Sequence, residues 1–266
     1  MKEKNVLCIF NGDFAFEAWK KCVGAEGKDF LVWRENYLEG PLPDNVSLEE
    51  FEKTRAALLH TWVPEYSEER LYKFLLSMDE KLLSLTEKDI VVLYFDRCVY
   101  DIVMLCRIFS LLRGTNAEVR LFCEDSVLGR EKELWLRDIA SLRKMSPENI
   151  ALYASAWDAI VHGAEEVENF NRSAKAETET ALKEALLRYG EDHPADGSMG
   201  KSEKILCSII QSGVHGFSAV FKSFNAREKY PFMGDSMCMR MLDDLTKKGL
   251  LKKEYSGGEC SFFSLK

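Results

Sequence analysis

The sequence has no C-x-x-C pair, and its four histidines (60, 162, 193 and 215) stand far apart. Structural zinc needs clustered Cys and His, and a catalytic triad needs a histidine with partners, so neither is expected. There is no run of 18 or more apolar residues, which excludes a membrane-spanning helix. The N-terminal MKEKNVLCIF carries lysines, but its apolar run is too short for a signal h-region. Only six prolines and sixteen glycines occur in 266 residues, so low complexity is not a global theme. The eight cysteines are scattered, mostly inside apolar runs. That usage argues against a disulfide framework and for a reducing cytoplasm.

Phosphate-loop signatures are missing as well. The first strand-to-helix turn reads NGDFAF. It is not G-x-G-x-x-G, and its acid would repel a phosphate at the helix N-terminus. ADGSMGKS (195–202) fails the Walker A pattern because Ala195 stands where glycine is required. We read Ser202 there as the N-cap of the next helix. No cofactor motif therefore names a reaction.

What is present is an ordinary globular composition, 46% hydrophobic and 30% charged, with an uneven charge. Residues 201–266 hold 11 Lys and Arg against 7 Asp and Glu, a balance of +4; residues 1–200 hold 25 against 37, a balance of −12. An acidic body with a mildly basic tail is weak support for nucleic acid as a partner.

Short apolar runs predict strands at 5–10, 29–33, 89–95 and 117–123, and helical spacing predicts helices between them. This alternation implies an α/β fold, a short parallel sheet flanked by helices. From about 131 to 189 no strand signal appears, and a helical extension is expected, with Ser146-Pro147-Glu148 a helix start. EDHPADGSMG (191–200) is the linker candidate, closing a first domain at 1–190. Helices at 202–213, 217–229 and 234–249, then two strands around SGGE, make 201–266 winged-helix-like.

In an open parallel sheet, ligands bind beyond the carboxyl ends of the strands. Here those ends read Asn11-Gly12-Asp13, Trp33-Arg34-Glu35 with Glu39 close behind, Asp96-Arg97-Cys98 with Asp101 one turn on, and Glu124-Asp125. Asp13 and Asp96 are the catalytic candidates, as acceptors, metal ligands or a general base. Each also fits a plain helix cap. Arg34 suits an anionic group through its fork geometry. Asn11, Gly12, Glu35, Glu39 and Asp101 complete the ligand-binding candidates, with Glu35 and Glu39 expected to orient Arg34 or fill a metal shell. No metal-ligand spacing is present. The expected ligand is a small polar or nucleotide-like molecule. Cys98 at a helix start is a possible thiolate, though a small buried residue is the plainer reading.

The alternative is a regulator acting through the tail. Its motif's second helix carries Arg240, Lys247 and Lys248 against Asp235, Asp243 and Asp244, and the wing adds Lys252 and Lys253. Those basic residues are the candidate phosphate contacts. Met233, Met237, Met239 and Met241 give an adaptable apolar character that suits a protein contact equally.

NGDFAFEAW, VWRENYLEGPLP and LYFDRCVYDIVMLCRIFSLL together resemble a bacterial family known only as domain of unknown function 1835. SEKILCSIIQSG and KYPFMGDSMCMRMLDDLTKKGLL are similar to the C-terminal domain that often accompanies it. The resemblance implies that Gly12 and Asp13 match the family's G-D, and that Trp33, Arg34, Glu35, Gly40 and Pro41 match its W-R-D/E and G-P. Asp96 matches an acid position, but Arg97 and Cys98 replace the usual polar pair, so a histidine-based chemistry is not carried over. The family brings no established reaction, only the location of a site.

Overall fold

Val, Ile, Leu and Phe fill the central strands, as burial on both faces requires. In this computed structural model, residues 5–24, 29–124, 135, 138–173, 178–256 and 258–265 are described. The chain divides into two compact units, Met1–Ala185 and Leu186–Lys266.

The first unit holds a five-stranded sheet in the order β2-β1-β3-β4-β5. Its strands are β1 (Asn5–Phe10), β2 (Asp29–Val32), β3 (Asp89–Asp96), β4 (Glu118–Glu124) and β5 (Arg143–Lys144). The first four pair in parallel and β5 is antiparallel. The register sets Cys8 opposite both Phe30 and Val92, and Leu93 opposite Leu121. The unit is thus mixed α/β, with a mostly parallel sheet flanked by helices.

Alternation along the strands builds two cores. Cys8, Phe10, Val92, Tyr94 and Phe122 pack on Ala15, Phe16 and Trp19 of α1 (Asp13–Val23) and on Trp135. Phe10 stacks on Tyr94 at 5.0 Å and 5°, and Trp19 lies 5.0 Å from Phe10. The intervening Leu7, Ile9, Val91, Leu93, Phe95, Val119 and Leu121 are also buried, on the other face by the pleat. There α4 (Val99–Leu112) packs against α5 (Pro147–His162). A helix apolar all round belongs in a core, and α4 is buried on nearly every side.

Helix starts follow the capping residues. Ser47 caps α2 (Leu48–Trp62) and Ser67 caps α3 (Glu68–Leu83). Ser146 forms a capping box with Asn149 ahead of Pro147.

Four expectations change, the last of them at the linker described with the second unit below. The stretch 131–145 was expected to be helical. Within it, 131–134, 136 and 137 lie outside the described residues, while Ile139–Ser141 is a single 3-10 turn and Arg143–Lys144 is an edge strand. Arg120 of β4 draws that segment to the sheet, donating to the carbonyls of Ala140 and Leu142 at 3.1 Å. The expected helical extension does not run unbroken past Gly163: it holds two helices there, α6 (Ala164–Arg172) and α7 (Thr180–Asp192). Ser173 ends α6 in extended backbone, its hydroxyl donating to the Phe170 carbonyl at 2.6 Å. Ser202 is not the N-cap of α8 (Lys201–Gln211); Gly200 is. A Cβ on Gly200 would meet the Asp192 carbonyl oxygen at 2.7 Å.

The second unit contains α8, α9 (Phe217–Asn225), α10 (Asp235–Lys247) and an antiparallel ribbon, β6 (Leu251–Ser256) with β7 (Glu259–Ser264). Leu206, Ile209, Val220, Phe224, Leu242, Leu245 and Phe262 form its core. Arg188 forks onto Glu228 at 2.7 and 3.0 Å and lies over the Phe232 ring. Ser202 is buried, donating to Asp192 and accepting from Arg188, both at 2.7 Å. Glu191 and Asp192 of the proposed linker belong to α7.

Candidate functional site

The strand order reverses between β1 and β3, since β2 lies on one side and β4 on the other. The residues leaving those two strands meet. Asn11 Nδ2 and the Asp96 backbone N–H both donate to Oδ2 of Asp101, in the first turn of α4. Asp101 is 2% exposed. Burial pushes its carboxyl well up and nearby Asp96 adds to this, while the donors to its oxygen pull it back. Cys98, the N-cap of α4, is buried, and burial with Asp101 nearby pushes its thiol well up. That favours the thiol over a thiolate nucleophile.

Asp13 does not cap α1. The N-cap is Gly12, whose φ of 142° favours glycine, and the helix start has no side-chain cap. Asp13 opens the helix instead and receives the fork of Arg34, Nε at 2.9 and 3.0 Å and Nη2 at 2.7 Å. Both side chains are about half exposed, 60% for Asp13 and 47% for Arg34. The hydrogen bonds from Arg34 hold the Asp13 carboxyl below its usual value.

Glu35 turns inward, away from Arg34. Its Oε1 accepts from Arg55 Nη2 at 2.7 Å, and both side chains are fully buried. Arg55, on α2, also donates to the carbonyls of Asn36, Glu39 and Pro41 at 2.6, 2.9 and 3.0 Å. Asn36 Nδ2 donates to the Glu39 carboxylate at 2.5 Å. One arginine thus folds the whole loop after β2. Its pull explains why Glu35 serves the loop instead of the rim. The predicted residues fall into three groups: Asp13 with Arg34, Asn11 with Asp96 and Asp101, and Glu35 with Glu39 around Arg55. Asp125 lies outside the described residues.

Beside these groups, over the carboxyl half of β4, lies a cavity of about 510 Å³. Arg97, Cys123, Arg143, Tyr153, Glu179 and Thr180 are among its lining residues. Arg97 leaves β3 next to Asp96, so the Asn11–Asp101 clamp holds the turn that carries it. Arg143 forks onto Glu179, with Nη1 to Oε2 at 3.0 Å and Nη2 to Oε1. Asn149 Nδ2 donates to the same carboxylate at 3.0 Å. Burial pushes the Tyr153 phenol up. The sequence reading did not single out Arg143, Tyr153 or Glu179. A two-residue strand carries no periodicity, and the partner of Arg143 lies 36 residues away.

In the second unit the candidate basic residues are matched by acids. Lys247 lies 2.8 Å from Asp244, and Lys248, Lys252 and Lys253 lie 2.6 Å from Glu203, Glu254 and Asp243. Arg240 is half-buried on α10, and Met233 and Met237 are buried in the unit's own core.

Among the described residues, no three of His, Cys, Asp and Glu group closely enough to hold a metal ion, and no helix is long and apolar enough to cross a membrane. No protein-family model matches this chain, and no curated protein does either.

Proposed function

We propose that the first unit binds a small anionic molecule at the carboxyl rim of its sheet, in the cavity over β4. The observation that carries this reading is a concave space lined by both Arg97 and Arg143 at the strand ends. Its volume of about 510 Å³ falls within the usual range of roughly 300–1,000 Å³ for small-molecule sites. Arginine forks suit carboxylate and phosphate oxygens, and at Arg143 a ligand anion would compete with Glu179 for the fork. In this reading Asn11, Asp96 and Asp101 are positioning residues for the Arg97 turn, and Asp13 orients Arg34 on the same rim. The resemblance to the domain of unknown function 1835 family points to the Gly12-Asp13 and Trp33-Arg34 ends and is part of the proposal.

The test is calorimetric titration of the full chain with inorganic phosphate and adenosine monophosphate, beside Arg97→Ala and Arg143→Ala. Binding by one probe, weakened about tenfold or more in each variant, is the expected result, since a charge-assisted hydrogen bond contributes about 1.5–3 kcal/mol. Titrations in which both probes are silent, or in which both variants match the parent, overturn the reading.

The second unit supports a further reading. Three helices, a two-stranded ribbon and a bridge between Gly216 and Ser261 follow the order of a winged helix. A DNA role draws little support from lysines already neighbouring carboxylates, because near-neutral local charge removes the steering that phosphate binding uses. A protein contact is the form we favour. Duplex DNA binding that falls steeply between about 50 and about 200 mM salt would reverse that preference.

A further inference from the structure

Arg107 is the lone charge in the run IVMLCRIFSLL of α4. It is 7% exposed. Nη2 of its side chain donates to Glu52 Oε1 at 3.0 Å and to Asp79 Oδ2. Nε is buried with no partner. The guanidinium carbon lies 4.5 Å from the Phe51 ring centre and 5.6 Å from that of Trp157. The two rings meet edge to face, 6.1 Å between centres, and cover one side of the group. A buried donor left unmet costs about 1–3 kcal/mol, so this arginine is poised for an acceptor.

Arg107 lines a second cavity, of about 260 Å³, between the loop 43–48 and the last turns of α5. Ser47, Leu48, Phe51, Trp157 and Val161 line it too. It shares no lining residue with the cavity over β4. The first turn of α2 borders it, with Ser47 Oγ accepting from the Glu50 N–H. The remaining N–H groups of that turn and the helix dipole favour negative charge.

Its surroundings limit how much negative charge fits. Asp44 and Asp158 stand at the edge. Asp44 is 3.4 Å from His162 Nε2, and Asp158 accepts from Arg113 at 2.9 Å. Beneath, burial raises Glu52 to about 9 and raises Asp79 as well, while Arg107 draws Asp79 back down. A dianion would meet these acids unfavourably. A single carboxylate with an apolar body matches the arginine on one side and Leu48, Trp157 and Val161 on the other.

We propose that this cavity is a second binding site, taking a small monocarboxylate whose oxygens meet the Arg107 guanidinium and whose apolar body packs on Trp157 and Val161. It stands apart from the rim reading and does not depend on it.

The test titrates the full chain with benzoate, with its neutral isostere benzamide, and with inorganic phosphate, followed by calorimetry. Benzoate is expected to bind at least about tenfold more tightly than benzamide. Val161→Phe fills the cavity and leaves Arg107 and its partners in place; circular dichroism checks its fold. That variant is expected to lose benzoate binding by about tenfold or more. Equal binding of benzoate and benzamide overturns the role of Arg107, even if the variant does not fold. Silence toward benzoate, or a folded Val161→Phe that binds it as the parent does, overturns the site. Phosphate binding that Val161→Phe leaves intact belongs to the rim and not to this cavity.

Discussion

Arg34 meets both carboxylate oxygens of Asp13, through Nε at 2.9 and 3.0 Å and Nη2 at 2.7 Å. The fork joins the end of β2 to the start of α1. Both side chains are about half exposed, and exposed pairs contribute within about 1 kcal/mol. Asp13→Asn is therefore expected to change unfolding free energy by less than about 1 kcal/mol at neutral pH. Because Arg34 lowers the folded-state pKa of Asp13, the pair's contribution is present above the unfolded value of 3.8 and is lost as pH falls through the folded one. Urea titrations at about pH 7 and about pH 3 check this: the gap between parent and variant should close in acid. A gap that widens in acid contradicts it.

Arg55 and Glu35 behave differently because both side chains are fully buried. Removing one partner of a buried ion pair typically costs about 3–5 kcal/mol, since the other charge stays uncompensated. Arg55→Met also releases the carbonyls of Asn36, Glu39 and Pro41. A loss in that range is expected by chemical denaturation. The double variant Glu35→Gln/Arg55→Met should recover part of it, because the lone buried carboxylate is gone. A double variant less stable than Arg55→Met alone would show that Glu35 acts without Arg55.

Glu52 sets a slope on the alkaline side. Its folded pKa is about 9 against an ordinary 4.5, raised by burial and then by neighbouring Asp79. A raised acid binds its proton in the folded state, so this stability is full below the unfolded value and is lost as pH rises toward the folded one. Glu52→Gln keeps a donor toward Asp79 and has no proton to lose. Parent and variant stabilities, measured at about pH 6 and about pH 9, should show a decline in the parent that the variant lacks. Parallel declines in the two proteins would remove Glu52 as the cause.

Much of this frame was legible in local sequence. DIVVLYF announces β3, and Ser146 marks a helix start that the structure uses. What was not legible depends on partners far along the chain. Glu35 looked like one more rim acid until Arg55, 20 residues on, drew it inward. Glu179 lies in a charge-rich stretch that reads as solvated helix, yet it is 6% exposed under Arg143. A signal for Arg107 was present, a single charge inside an apolar helix, but its ligands come from α2 and α3, at separations of 55 and 28 residues. Capping acts within one turn and can be read from four residues; these pairings are made by tertiary packing alone.

Asp101 separates a positioning role from a catalytic one. Its Oδ2 takes donors from Asn11 and from the Asp96 backbone, tying β1 and β3 to α4. Asp101→Ala leaves two donors without an acceptor, at about 1–3 kcal/mol for each buried group. Asp101→Asn keeps one oxygen in place and should retain most of the stability. A positioning residue for Arg97 predicts a parallel effect on ligand affinity: weakened binding in Asp101→Ala and near-parent binding in Asp101→Asn. A base or a metal ligand at this position would instead lose function in both variants, because the amide cannot take up a proton or carry the charge. Denaturation and phosphate titration on the same two proteins decide between them.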